Sequence, residues 1–157
     1  MTNQEINVFS RKVSQASKSE LVVIMYEIAI KYIEDGLKSL EDNDIDNYRL
    51  NLKRSKSVIN ELNSALDMTL HISHELSRLY VFMTGIIVKA DIRKETDELI
   101  RVKNMLIKLS ESFKEVSRLD KSGPIMENTQ TVYAGLTYSK DSLNENMYSD
   151  VNRGFKV

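Results

Sequence analysis

Residues 17–33, SKSELVVIMYEIAIKYI, decide the fold. Ser17 and Glu20 stand three apart, the spacing at which each side chain satisfies a backbone N–H at the other's end of a helix's first turn. Leu21, Ile24, Met25, Ile28, Tyr32 and Ile33 then recur at threes and fours, the period of one helical face. Val22, Val23, Ala29 and Ile30 widen that stripe beyond what one neighbouring helix covers. Such a helix is central in its bundle or lends a face to a partner.

Outward from it, the absence of proline before Pro124 lets long helices run uninterrupted. Upstream, Ile6, Phe9 and Val13 stand out of a polar N-terminus at threes and fours and predict a short amphipathic arm over 1–16. Downstream, Glu41 to Asp44 reads as a loop, with Asn43 or Asp44 capping a second helix. That helix runs to about Leu66 on Ile45, Tyr48, Leu52, Val58, Ile59 and Leu62. Its outer face is basic, with Arg49, Lys53, Arg54 and Lys56. A connection near 68–73 leads to a third helix on Leu76, Leu79, Tyr80, Met83, Ile87 and Ala90, again broadly apolar through Val81, Phe82, Ile86 and Val88. Arg93-Lys94-Glu95 breaks the chain, and Leu99, Val102, Leu106, Leu109, Phe113 and Val116 mark the narrow seam of an outer fourth helix. Helices of roughly 20–25 residues with short loops predict an all-α, antiparallel up-down four-helix bundle over 17–120. Beyond it, 121–157 reads as a flexible tail that begins at Lys121-Ser-Gly-Pro124, with one apolar patch at 132–138.

Bulk properties suit one domain. The chain has 157 residues, 41 % apolar and 29 % charged, with 22 basic and 23 acidic side chains and a net charge of −1. This balance asks for neither nucleic acid nor an anionic membrane. The absence of cysteine excludes disulfides and thiolate metal sites. No signal peptide or membrane span is legible, so a cytoplasmic protein is expected.

Chemistry is scarce. His71 and His74 are the only histidines, and His74-Glu75-Leu-Ser-Arg78 has arginine where a zinc protease needs its second histidine. Paired Glu-x-x-His motifs, phosphate-binding glycine loops and nucleophile elbows are missing. No enzyme, catalytic residue, cofactor or metal is expected. Two classes fit what remains: a module whose groove takes an amphipathic helix, or a self-associating structural bundle that buries the same surface in a symmetric dimer. Periodicity does not separate them.

A resemblance does. The 17–33 stretch resembles the opening helix of the flagellar export chaperone family, FliS, in which a Ser-Pro-x-Glu-Leu start precedes a Leu/Met-Leu/Met-Tyr/Phe-Asp/Glu run. Lys53-Arg-Ser-Lys-Ser-Val-Ile-Asn-Glu-Leu62 is similar to that family's Lys-x-x-x-Ile-Ile-x-Glu-Leu. Leu79-Tyr80-Val-Phe82-Met83 resembles its Leu-Tyr-x-Tyr-Met, and Ala90-Asp91-Ile92-Arg93 its Ala-Asn-Ile/Leu-Arg/Lys. The motifs stay in register from about Ile6 to Val116. Lys18 departs from a usual proline, Ile28 from a common glycine, and Gly85-Ile86 from a basic pair.

The resemblance implies a non-enzymatic cytoplasmic chaperone that holds newly made flagellin and prevents premature polymerisation before type III secretion. Its partners would be flagellin, whose disordered C-terminal segment becomes helical on the bundle, and the export apparatus. The expected flagellin-binding residues are Leu21, Ile24, Met25 and Ile28 on the first bundle helix and Tyr80, Met83 and Ile87 on the third. Ile6 and Phe9 match the apolar pair of an N-terminal lid over that site. The expected resting state is a monomer or weak homodimer.

Overall fold

Uninterrupted apolar periodicity becomes helix throughout the computed structural model, which describes residues 1–126. Five helices follow one another: α1 (Asn3–Gln15), α2 (Lys18–Glu41), α3 (Ile45–Ser64), α4 (His71–Arg93) and α5 (Thr96–Leu119). No strand occurs among the described residues. The count corrects the expectation of four, because the N-terminal arm is itself a regular helix of 13 residues. The apolar patch at 132–138 and most of the expected tail lie outside the described residues.

The ends of the helices follow from their side chains. Ser17 and Glu20 form the expected capping box: Ser17 Oγ accepts from the Glu20 N–H at 3.3 Å, and Glu20 accepts from the Ser17 N–H at 2.8 Å. Asn43 takes the left-handed conformation (φ 56°) just past α2. There the Asp44 N–H reaches the Ser39 carbonyl at 2.8 Å and the Asn43 N–H the Leu40 carbonyl at 3.1 Å, closing the last turn of α2. Asp44, one of the two expected caps, then receives the Asn47 N–H at 3.1 Å and starts α3. The helix α4 begins at His71, earlier than its apolar periodicity suggests, and no side chain caps it.

Each of α2 and α4 packs against both α3 and α5, and α1 lies on α2. Because α2 touches three helices, its wide apolar surface has the central role read from 17–33. The shared core holds Tyr26, Ala29 and Ile33 of α2, Tyr48, Leu52 and Ile59 of α3, Tyr80, Met83 and Ile87 of α4, and Leu99, Val102 and Leu106 of α5. Close approach of α2 to α3 needs the small Gly36, where an added Cβ would stand 3.3 Å from Leu52 Cδ2. The same contact is tied by the Ser55 hydroxyl, which donates to the Ala29 carbonyl at 3.0 Å. The seam expected on α5 holds as far as Phe113, but Val116 is exposed.

Candidate helix-binding surface

The arm helix is built to fold back. Thr2 and Glu5 form a second capping box, with the Thr2 N–H donating to Glu5 at 2.7 Å and the Glu5 N–H to Thr2 Oγ1 at 3.3 Å. The same T-x-x-E spacing is plain in the sequence and is the signal that identifies α1 as a helix. At the other end Ala16 is extended (φ −80°, ψ 141°), so the chain turns sharply before Ser17 starts α2. The segment after α5 fastens this elbow: the Ile125 N–H donates to the Ala16 carbonyl at 3.0 Å, and the Ser19 hydroxyl donates to the Asp120 carboxylate.

Between the elbow and its N-terminal end, α1 meets α2 through a row of ion pairs. Lys12 meets Glu27 at 2.9 Å, and Glu27 also receives Lys114 of α5 at 3.1 Å. Glu5 meets Lys31 at 2.9 Å, and Lys31 is shared with Asp35 at 2.9 Å. The order of these contacts shows α1 and α2 running in opposite directions. Hydrogen bonds from the Thr2 backbone and from Lys31 pull the Glu5 carboxyl down to about 2. Partial burial pushes Glu27 up, but Lys12 and Lys114 outweigh it and leave that carboxyl below its ordinary value. Lys31 is raised by its bonds to Glu5 and Asp35.

Apolar contact adds to these pairs. No residue of α1 is fully buried. Phe9 and Val13 are half-buried, Ile6 is 45 % exposed, and Val8 is exposed. The Lys12 ammonium lies 5.4 Å from the centre of the Phe9 ring, so its charge covers part of that apolar surface.

Of the four expected binding residues of α2, Ile24 lines this surface. Ile24 is buried beneath a cleft of about 380 Å³ lined by Lys12 and Gln15 of α1, Val23 and Glu27 of α2, and Ser117 of α5. Leu21, Met25 and Ile28 are half-buried. The three expected on α4 are interior instead. Met83 is wholly buried, and the Tyr80 hydroxyl shares a hydrogen bond with that of Tyr26 across the core. Burial raises both phenols above their ordinary range, aided for Tyr26 by that bond. Ile87 is buried as well, at the floor of a groove between α3 and α4. The structure therefore does not bring the seven residues together at one surface.

On α4 the large apolar side chains open to solvent are Ile72, Val81, Phe82, Val88 and Ile92. Their neighbours Tyr80, Met83, Ile86 and Ile87 take the inward positions, a division that a nearly continuous apolar run conceals. His71 and His74 are both exposed at the start of α4. Among the described residues no three metal-ligating side chains stand together, and no helix is long and apolar enough to cross a membrane.

The arm helix thus lies over a cleft, bound by ion pairs, on a bundle with further apolar helix surface. Comparison with known proteins places it. The family profile described as flagellar protein FliS matches residues 1–122. The flagellar secretion chaperone FliS of Bacillus subtilis (strain 168) is 25 % identical over 114 residues, spanning 71 % of this chain and 86 % of its own. The chain belongs to the FliS family.

Proposed function

We propose that this protein is a flagellin export chaperone. In the cytoplasm it holds the C-terminal region of newly made flagellin and keeps it from polymerising before type III flagellar secretion. Family membership and the name of its Bacillus relative support the role. The observation that carries the mechanism is α1: a helix capped by its own residues, with none of them fully buried, fastened to α2 by ion pairs. Such a helix keeps its internal hydrogen bonds when it leaves. Exchange for a client helix then costs only its contacts with α2.

In this reading the client lies along α2 over Leu21, Ile24, Met25 and Ile28, where Ile6 and Phe9 of the arm act as the lid. Tyr80, Met83 and Ile87 support the bundle from within. Residues 17–120 serve as an up-and-down antiparallel four-helix scaffold, 1–16 as the displaceable arm and 121–157 as a tail. The work is recognition, which needs no catalytic group. A segment evolved to pack into a filament is an aggregation hazard while free, and covering its apolar stripe removes that hazard. The chaperone rests as a monomer or weak homodimer and hands its client to the export apparatus.

Calorimetric titration with the C-terminal segment of the host's flagellin tests the role. We expect binding at micromolar affinity or tighter, with a gain in helix by circular dichroism. No binding to that segment, together with a tight dimer persisting at nanomolar concentration, would favour the structural scaffold instead.

A further inference from the structure

We infer that the outer groove between α3 and α4 is a second docking surface, shaped for an amphipathic helix whose apolar stripe is flanked by carboxylates. It stands apart from the arm and its cleft, and does not depend on which client that cleft accepts. The groove measures about 270 Å³, with Leu52 and Ile87 in its lining, Arg49, Lys53 and Lys56 along the α3 wall, and Val88 and Asp91 on the α4 side. Along α4 it opens onto Val81, Val88 and Ile92, which are 61 %, 42 % and 76 % exposed, with Phe82 beside them. Positions 81, 85, 88 and 92 repeat at four and three, so they form one straight seam of the kind a second helix packs against.

Charge identifies the occupant. Between 49 and 60 the α3 sequence carries four cations and no carboxylate. Arg49 reaches Asp91 at 3.6 Å, whereas Lys53 and Lys56 have no carboxylate at ion-pair distance among the described residues. Carboxylates on a bound helix would supply those partners while its apolar stripe covered the α4 seam. A second copy of this chain docked face to face would set these lysines against one another, which disfavours it. An anionic polymer would use the lysines and leave the valines uncovered.

Gly85 gives an independent indication. It lies exposed in the middle of α4, where a Cβ would meet nothing within 4 Å. Glycine there costs about 1 kcal/mol against alanine, and no contact within the chain requires it. A local rule broken without internal compensation marks a place where something else approaches the backbone closely.

Two synthetic helical peptides of about 20 residues test this, sharing one Leu/Ile seam but flanked by Glu in one and by Lys in the other. Both are titrated against the full chain by fluorescence anisotropy at low and high salt. We expect the Glu-flanked peptide to bind at least about tenfold more tightly, with most of that advantage lost at about 1 M salt. Lys53→Glu with Lys56→Glu should invert the preference while circular dichroism stays unchanged. Gly85→Gln should raise the melting temperature and weaken the Glu-flanked peptide by about fivefold or more. Equal binding of the two peptides, binding of neither, or indifference to the lysine reversal would overturn the proposal. So would a dimer in sedimentation velocity that the Glu-flanked peptide fails to dissociate, which would assign the face to a second copy.

Discussion

The two long grooves of this bundle are finished differently. On the arm side, α1 lies along α2, and Glu27 and Lys31 each hold cross-helix ion pairs. On the α3–α4 side nothing from residues 1–125 lies over the apolar seam of α4, with exposed Lys53 and half-buried Lys56 beside it. A covered surface is regulated by whatever uncovers it, whereas an open one is limited by solubility. The arm-side fastening joins ion pairs to half-buried apolar contacts, so it is strong enough to mask a cleft and weak enough to exchange. Surface ion pairs contribute about 0.2–1 kcal/mol each, and a few of them suffice for a latch of that kind.

The largest effect should come from testing the division of α4 into inner and outer residues. Met83→Ala is expected to cost about 2–5 kcal/mol in urea denaturation, because Met83 is wholly buried. Phe82→Ala, one residue away and 54 % exposed, should change stability by no more than about 0.5 kcal/mol. Comparable losses for both would mean that the outer face of α4 is covered in the free protein and that the contrast between the grooves is wrong.

Opening the arm comes next. Ile6→Ala with Phe9→Ala should tighten binding of the flagellin C-terminal segment by roughly fivefold, the effect of removing about 1 kcal/mol of closure. Helix content of the bundle should stay unchanged, as circular dichroism would show. Weaker binding in the same calorimetric titration would make the two residues client contacts rather than a lid.

Acid offers a third handle. Glu5 titrates at about 2 when docked; its bond from the Thr2 backbone lies within the arm, so undocking removes only the part of that depression due to Lys31. A depressed carboxyl contributes stability that is present above the free value and lost as pH falls through the docked one. Hydrogen exchange of the α1 amides, read against those of α3, should therefore quicken as pH falls from neutral toward about 2. An unchanged ratio across that window would show that the arm is held by its apolar face. The smallest effect expected is that of Lys12→Ala, about 0.2–1 kcal/mol, measured by the same exchange at neutral pH.

Much of this architecture is legible in the residues. The Ser17 and Glu20 box, the Asp44 cap and the breadth of the apolar face on α2 are local or periodic signals, and each becomes the expected element. The Thr2 and Glu5 box is equally local, and it carries the fifth helix. What periodicity leaves open is direction. From Leu79 to Val88 nearly every residue is apolar, so a helical wheel alone does not say that Met83 points inward and Val81 outward. That choice belongs to the neighbours, since α3 and α5 reach α4 from particular sides. The register of α1 on α2 is likewise not written in either segment. It arises when Glu5 finds Lys31 and Lys12 finds Glu27, contacts between residues far apart in the chain. Local sequence determined which segments are helices and where they start and stop, because capping and periodicity act over a few residues. Only the tertiary structure decided which apolar faces are spent on the core and which remain for a partner, because burial depends on the elements that happen to lie opposite.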